Sequence, residues 1–259
     1  MASLHVASSS TAPQKASTGK RKSPKGITTS NLILSAHIAT NDEVFPRILD
    51  LHVARGSTIA DVTYGSGVFW KRVPSDSYIV KATDLKTGTD CTKLPYQADS
   101  IDCVVLDPPY MEGLFRRKKG QLAGSGTYGA FRSFYSNGAS THGDGPKYHD
   151  AVLDLYFRAG AEAARVLKLG GTLIVKCQDE VSANVQRLTH VELINAYSTV
   201  GFFAKDLFVL VRTNRPGVSR ILKQRHARKN HSYFLVFVKR NLKTQERLNG
   251  HSGGLGYQP

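Results

Sequence analysis

Residues 101–110, Ile-Asp-Cys-Val-Val-Leu-Asp-Pro-Pro-Tyr, contain the strongest signal in the chain. The first six are mostly apolar and predict a buried strand. The two prolines stop this strand, because proline has no backbone N–H to donate to a neighbouring strand. The sequence therefore predicts a strand that closes directly on a polar tetrapeptide with a constrained backbone.

Segments of strand and helix character alternate on both sides of this stretch. The predicted elements are a helix that Asn41 or Asp42 caps and Gly56 ends, strands at 58–62 and 78–82, a helix at 150–167 that Gly170 and Gly171 end, a strand at 172–177, a helix at 190–198, and strands at 202–211 and 233–238. Such alternation predicts βαβ units. We expect an α/β, Rossmann-like fold with a mostly parallel, seven-stranded sheet that closes on a C-terminal antiparallel hairpin.

The charge balance points to an anionic partner. The chain carries 35 Lys and Arg against 20 Asp and Glu, a formal net charge of +15 over 259 residues. An excess of this size favours association with polyanions such as nucleic acid. No stretch approaches the roughly 18 to 20 consecutive apolar residues of a membrane helix. We therefore expect a soluble protein without a membrane partner.

Cysteine and histidine spacing indicates neither a disulfide framework nor a metal site. Cys91, Cys103 and Cys177 are isolated from one another, and the nine histidines show no zinc-binding spacing. These features predict a reducing compartment, the cytoplasm or a eukaryotic nucleus, and no bound metal.

Composition also divides the chain. Residues 1–28 are rich in Ser, Thr, Ala and Lys and predict a disordered basic tail. We expect one folded domain at 29–241, with an insertion at 111–149 that is rich in Gly, Ser, aromatic and basic residues. A flexible tail follows at 242–259.

A glycine-containing turn follows the predicted strand at 58–62. The cofactor-binding candidates here are Asp61, Thr63, Gly65 and Gly67. In open α/β sheets ligands bind beyond the carboxyl ends of the strands, and glycines let a ligand approach the backbone closely. Asp84, at the end of the next strand, offers a carboxylate for both hydroxyls of a ribose. Because no third glycine follows at 68–71, S-adenosylmethionine fits better than a pyrophosphate-bearing dinucleotide.

The tetrapeptide Asp107-Pro108-Pro109-Tyr110 suits chemistry on an exocyclic base amine. Such an amine is a poor nucleophile, because its lone pair is delocalised into the ring. The Asp107 carboxylate and the Pro108 carbonyl can each accept one amino hydrogen and free that lone pair. Pro109 helps to fix this carbonyl, and Tyr110 offers a face on which an extruded base can stack.

On these motifs, from about residue 35 to 239, the chain resembles the S-adenosylmethionine-dependent amino-methyltransferases of DNA, the adenine-N6 and cytosine-N4 enzymes, and especially small phage or prophage types. The resemblance implies that His37 and Thr40 lie at the methionine end of the cofactor and Asp90 near its adenine. The Asp form of the tetrapeptide is commoner among the adenine enzymes. Relatives often have Asp-Pro-Phe where this chain has Asp61-Val62-Thr63, which predicts a different lip for the cofactor pocket.

Two segments with many basic residues predict a DNA-binding surface, because cations bind phosphates and aromatic rings stack on bases. The candidates in the 111–149 insertion are Arg116, Arg117, Lys118, Lys119 and Arg132. The candidates between the last two strands are Arg215, Arg220, Lys223, Arg225, Arg228 and Lys229. Phosphate contacts carry no sequence information, so we expect short or loose sequence specificity.

Several functions remain open on the sequence alone. The first expectation is DNA adenine-N6 methylation, with DNA cytosine-N4 methylation and RNA guanine-N2 methylation as alternatives. Methylation at ring carbon C5 is disfavoured, because that reaction needs a cysteine nucleophile and no cysteine lies in a Pro-Cys loop. An alternative of another class is a non-catalytic nucleic-acid-binding protein with the same fold.

Overall fold

The computed structural model describes residues 32–110, 149–213 and 223–241. The two predicted tails and the 111–149 insertion, apart from His149, lie outside these residues. The strands are β1 Ala36–Ile38, β2 Thr58–Asp61, β3 Ile79–Ala82, β4 Ile101–Leu106, β5 Leu167–Cys177, β6 Glu180–Ser182, β7 Val185–Arg187, β8 Phe202–Val211 and β9 His231–Lys239. The helices are α1 Asn41–His52, α2 His149–Val166 and α3 Thr189–Thr199.

Seven of these strands form one sheet in the order β1-β8-β9-β5-β4-β2-β3. Only β9 runs antiparallel to its neighbours, β5 and β8, while the other adjacent pairs are parallel. This arrangement confirms the predicted mostly parallel, Rossmann-like sheet with a C-terminal antiparallel hairpin. The carboxyl ends of β2, β3, β4, β5 and β8 therefore share one edge, which is where ligands bind in open α/β sheets.

The chain changes direction between β2 and β4. After β2 it turns outward to β3 at one edge, and after β4 it continues to β5 on the other side. A crevice forms at such a switch point, because the connections from the two strands leave in opposite directions. Asp61, the last residue of β2, and Asp107, the first residue after β4, lie at this crevice.

Apolar residues cover both faces of the sheet. On one face α2 and α3 bury Tyr156, Val166 and Leu193 against the strands. On the other face α1 buries Phe45, Ile48 and Leu49 against residues of β2, β5, β8 and β9. The side chains of each central strand alternate between these two cores, which explains why the sequence shows apolar runs rather than an apolar–polar alternation.

The predicted capping of α1 is wrong in detail. Thr40, not Asn41 or Asp42, precedes the first helical turn, and its backbone N and Oγ1 both donate to Glu43 Oε2, at 2.8 and 2.9 Å. This Thr-x-x-Glu pattern is a capping box, which the sequence reading overlooked. The helix also ends at His52, before Gly56.

The prediction that Gly170 and Gly171 end the next helix is also wrong. Helix α2 ends at Val166 and passes directly into β5, so that Gly170 and Gly171 lie inside the strand. The N–H groups of Asp99 and Ser100 bind the last helical carbonyls, at 3.1 and 2.9 Å. These contacts satisfy the carbonyls of the final turn without a glycine cap.

Two short features were not predicted. Strand β1 adds an edge beside β8, and β6 and β7 form a separate two-stranded hairpin directly after β5. Within the described ranges, no helix has the length and apolar character needed to cross a membrane.

Candidate active site

Asp61 anchors the first turn of the site. It is 3% exposed, and both of its carboxylate oxygens accept hydrogen bonds: Oδ1 from the Thr63 backbone N at 3.1 Å, and Oδ2 from Trp70 Nε1 at 2.7 Å. Burial raises the pKa of Asp61 to about 7, against the lowering effect of these two donors. The carboxylate therefore holds the glycine turn to the segment that follows it.

The predicted glycine turn lies against Asp84. Gly65 and Gly67 have φ angles of 57° and 67°, a left-handed backbone that favours glycine. Gly65 N donates to Asp84 Oδ2 at 3.1 Å, and Thr87 N donates to Asp84 Oδ1 at 2.9 Å. The structure thus brings the glycine turn and the predicted ribose-binding acid into direct contact.

Gly67 also has a packing reason to be glycine. A Cβ atom there would lie 2.6 Å from the hydroxyl oxygen of Tyr64 and 2.7 Å from the ring carbon that bears it. The Tyr64 ring therefore closes over the backbone of Gly67. Any side chain at this position would displace the ring and deform the turn.

Asp90 lies in the loop that leaves Asp84. Thr89 N donates to the Asp84 carbonyl at 2.9 Å, and Asp90 Oδ1 accepts from both the N and the Oγ1 of Thr92 at 2.8 Å. The Asp90 side chain thus stabilises a tight turn, and the neighbouring residue Thr89 holds this turn against Asp84.

The tetrapeptide follows β4 at the predicted place. Pro108 is buried, whereas Asp107, Pro109 and Tyr110 are partly exposed. Among the described residues, the Asp107 carboxylate accepts one side-chain hydrogen bond, from the Tyr110 hydroxyl. Burial raises the pKa of Asp107 to about 6, while the Tyr110 hydrogen bond and the charges of Lys176 and Arg212 lower it.

Thr63 joins the two halves of the site. The backbone N of Asp107 donates to Thr63 Oγ1 at 2.6 Å. The glycine turn after β2 and the tetrapeptide after β4 are therefore connected by a single hydrogen bond. This contact sets the position of Asp107 relative to the cofactor-binding candidates.

The two residues predicted to lie at the methionine end of the cofactor, His37 and Thr40, have different surroundings. Thr40 caps α1 through Glu43, and Glu43 pairs with Arg72, just beyond the glycine turn, at 3.1 Å. His37 instead lies on the edge strand β1, where Nε2 pairs with the Leu34 carbonyl at 2.6 Å and the ring stacks on Phe208. The described contacts thus bring Thr40, but not His37, towards the glycine turn.

Two residues of the site were missed by the sequence reading. Trp70, the only tryptophan in the chain, binds Asp61 directly. Lys176 is the penultimate residue of β5 and is 1% exposed, and its Nζ lies 3.8 Å from the centroid of the Phe234 ring. The signal for Lys176 was the single charge within the mostly apolar strand predicted at 172–177.

A polar cluster extends the site beyond β5. Asp179 Oδ1 pairs with His190 Nδ1 at 2.7 Å, and Asp179 Oδ2 accepts from the Tyr233 hydroxyl at 3.2 Å. The His190 and Tyr233 rings stack with their centroids 4.3 Å apart. The polar groups of this cluster are thus paired to one another, directly after the end of β5.

The basic connection between β8 and β9 begins and ends at the same edge as the site. Its described candidates are Lys223, Arg225, Arg228 and Lys229, of which the first three are exposed. Gln178, two residues beyond Lys176, contacts the Lys229 carbonyl at 3.4 Å and Arg212 at 3.3 Å. The remaining candidates lie outside the described residues: Arg116, Arg117, Lys118, Lys119, Arg132, Arg215 and Arg220.

With this geometry in place, comparison with known proteins identifies the family. A family model for DNA methylases of the N6/N4 type matches residues 101–251, more than half of the chain. The chain belongs to the N6/N4 DNA methylase family. Family membership confirms the predicted class of protein and its predicted cofactor, S-adenosylmethionine. No curated protein gives a significant match.

Solved structures with a similar chain trace share little sequence with this family member. TrmN from Thermus thermophilus is 15% identical over 76% of this chain and 48% of its own, with a TM-score of 0.43. A 1,6-didemethyltoxoflavin-N1-methyltransferase from Burkholderia thailandensis, solved with S-adenosylhomocysteine, is 13% identical over 78% of this chain and 79% of its own, with a TM-score of 0.44. A TehB-like methyltransferase from Corynebacterium glutamicum is 14% identical over 76% of this chain and 87% of its own, with a TM-score of 0.40. This chain thus spans about half the length of TrmN.

Proposed function

We propose that this protein is a DNA adenine-N6 methyltransferase that transfers a methyl group from S-adenosylmethionine to the exocyclic amine of a flipped base. The observation that carries the proposal is the 2.6 Å hydrogen bond from the Asp107 backbone N to Thr63 Oγ1. It holds the amine-binding tetrapeptide against the turn proposed to bind the cofactor.

The residues at the switch point fit S-adenosylmethionine. A left-handed glycine turn leaves backbone open to a close ligand, and the buried Asp84 carboxylate beside it suits the two hydroxyls of a ribose. Thr63, Gly65, Gly67 and Asp84 would hold the cofactor, and Asp61 would fix the turn that carries the first three. When bound, this cofactor supplies an electrophilic methyl group on a sulfonium.

The role of the tetrapeptide follows from its acceptor atoms. The Asp107 carboxylate and the Pro108 carbonyl each accept one hydrogen of the target amine and leave the nitrogen lone pair free for the transfer. Among the described residues the Tyr110 hydroxyl binds only Oδ1 of Asp107, so the amine can bind Oδ2, or Oδ1 once this hydroxyl gives way. The Tyr110 ring then stacks on the flipped base.

DNA is the proposed polymer because of the family and the charge. The family model describes DNA methylases, and the exposed cations of the β8–β9 connection lie at the edge that carries the tetrapeptide. Cations along a groove bind phosphates irrespective of sequence. Lys223, Arg225 and Arg228 would therefore contribute affinity, with the base identified in the pocket itself.

The test is to identify the methylated nucleoside. Purified protein is incubated with methyl-labelled S-adenosylmethionine and separate pools of DNA and RNA, and the digested nucleosides are analysed by mass spectrometry. N6-methyl-deoxyadenosine in the DNA pool is the expected product. Label in N4-methyl-deoxycytidine, or in N2-methylguanosine from RNA, would replace the adenine assignment. Label at a ring carbon would contradict the mechanism.

A further inference from the structure

Lys176 is the one buried lysine or arginine in the described part of the chain. Its Nζ lies over the Phe234 ring and has no hydrogen-bond partner among the described residues. A buried charge without a partner is costly, so a lysine kept at such a place needs an electrostatic reason. A ring face offers only a weak substitute for a carboxylate.

Strand register places Lys176 beside the tetrapeptide. Strands β4 and β5 are parallel, with Leu106 paired to Val175, so Asp107 and Lys176 are the next residues on neighbouring strands. Val105 and Ile174, each two residues earlier, both pack in the core beneath α1. Because side chains alternate along a strand, Asp107 and Lys176 lie on this same face.

Other ionisable groups also interact with Asp107. They are Asp61, Tyr110, Tyr156, Cys177 and Arg212. Asp61 is an acid, Tyr110, Tyr156 and Cys177 are neutral when protonated, and Arg212 is exposed to solvent, which screens its charge. Lys176 is the cation that solvent screens least.

We propose that Lys176 is a positioning residue whose ammonium group keeps the Asp107 carboxylate ionised, so that this carboxylate can accept a hydrogen bond from the target amine. This inference rests on the proposed function of Asp107. In this role Lys176 acts only through Asp107 and binds neither the cofactor nor the base.

The directions of the pKa shifts agree with this role. Burial raises the pKa of Asp107, whereas the Lys176 charge lowers it. Burial lowers the pKa of Lys176 to about 7, whereas the Asp107 charge raises it. Removal of the lysine charge would thus raise the pKa of Asp107 further, and less of the carboxylate would be ionised at neutral pH.

The experiment is a titration of Asp107 by NMR in the cofactor-free full-length protein. Aspartate side chains are labelled with ¹³C at the carboxyl carbon, and Asp107→Asn identifies the Asp107 signal. Lys176→Met should raise the Asp107 midpoint by about one pH unit or more, since an opposite charge nearby lowers an acid's pKa by about 1 to 3 units. An unchanged midpoint would overturn the proposal.

Two control variants define what the shift means. Lys168→Met makes the same change on β5 at an exposed lysine paired with Asp102, and the Asp107 midpoint should stay at its wild-type value. Lys176→Arg keeps the charge and should stay nearer to wild type than Lys176→Met. A midpoint that rises equally in the Lys168 variant would contradict a specific effect of Lys176.

Cofactor binding and activity supply the second measurement. Lys176→Met should bind S-adenosylhomocysteine with wild-type affinity in calorimetry, while the acid limb of the kcat profile moves to higher pH with the Asp107 midpoint. A loss of affinity without a titration shift would make Lys176 a cofactor ligand and overturn the proposal. If wild-type protein methylates no nucleic acid, the proposed function fails, and the NMR titration still decides the effect of Lys176 on Asp107.

Discussion

Two aspartates lie at the carboxyl ends of neighbouring strands of this sheet and differ in the number of hydrogen bonds that their carboxylates accept. Asp61, at the end of β2, uses both carboxylate oxygens within its own turn and with Trp70. Asp107, which directly follows β4, has one described side-chain partner, the hydroxyl of Tyr110, three residues further along the chain. The first carboxylate is committed to structure, and the second can exchange its partner for a substrate.

This difference in hydrogen bonding indicates which of the two carboxylates can bind a substrate. Asp61 acts as a scaffold, because the Thr63 backbone N and the Trp70 ring both donate to its buried carboxylate and a substrate would have to compete with those bonds. Asp107 faces a single hydroxyl that a target amine can replace. Substitutions at the two aspartates and their neighbours should therefore have different effects.

Removal of the Asp107 carboxylate should have the largest effect. Asp107→Ala should lower the single-turnover rate by at least about 100-fold, the scale of losing one well-placed group that stabilises a transition state. Binding of S-adenosylhomocysteine should stay close to wild type in calorimetry. Asp50→Ala, an exposed acid on α1 paired with Arg55, is the matched control and should retain full rate. A near-normal rate in Asp107→Ala would remove Asp107 from the reaction.

A side chain added to the glycine turn should weaken the binding of the cofactor. Gly67→Ala combines a left-handed φ with a contact of 2.6 Å to Tyr64, so cofactor affinity should fall by about tenfold or more, or about 1.4 kcal/mol. Gly170→Ala is the matched control, because Gly170 has a φ of 80° and no atom within 4 Å of the added carbon. Equal affinity losses in both variants would mean that backbone strain alone is responsible.

Loss of the Trp70 hydrogen bond should mainly affect stability. Trp70→Phe removes the donor to Asp61 Oδ2 and leaves a buried acceptor unsatisfied, which costs about 1 to 3 kcal/mol. Denaturant unfolding followed by circular dichroism should show this loss, while the rate at saturating cofactor changes little. A rate loss as large as that of Asp107→Ala would mean that Asp61 takes part in the reaction, and would contradict its purely structural role.

The smallest effect should come from the Tyr110 hydroxyl and depend on pH. The pKa of Asp107 lies at about 6, above its ordinary value, so its ionised form is lost as the pH falls through 6, and activity should fall with it. The Tyr110 hydrogen bond lowers this pKa in the free enzyme, so Tyr110→Phe should move the acid limb of kcat/KM, which reports the free enzyme, to slightly higher pH. A limb that moves to lower pH would contradict the assigned direction.

Much of this contrast was visible in the sequence. The apolar runs that end in Asp61 and Asp107 predicted both strands, since a strand buried on both faces needs such a run. The proline pair and the glycine turn predicted where each strand ends. Local patterns were sufficient for these elements, because the residues that decide each one are neighbours in the chain.

The rest depended on contacts between distant parts of the chain. Strand β1 has three residues and exists because Ala36 pairs with Val209. The bond from Trp70 to Asp61 and the position of Lys176 beside Asp107 require the assembled sheet. A lysine within an apolar strand showed that something unusual was buried there, but only the register of β4 against β5 gives it a neighbour.

The most direct test of the central claim compares Asp61→Asn with Asp107→Asn by calorimetric binding of S-adenosylhomocysteine. Both variants keep the side-chain shape and remove one charge. Asp61→Asn should lose affinity, because its amide nitrogen cannot accept the hydrogen bond that Thr63 N or Trp70 Nε1 donates, whereas Asp107→Asn should bind like wild type. The opposite pattern, with affinity lost only in Asp107→Asn, would contradict the division between a structural and a reactive aspartate.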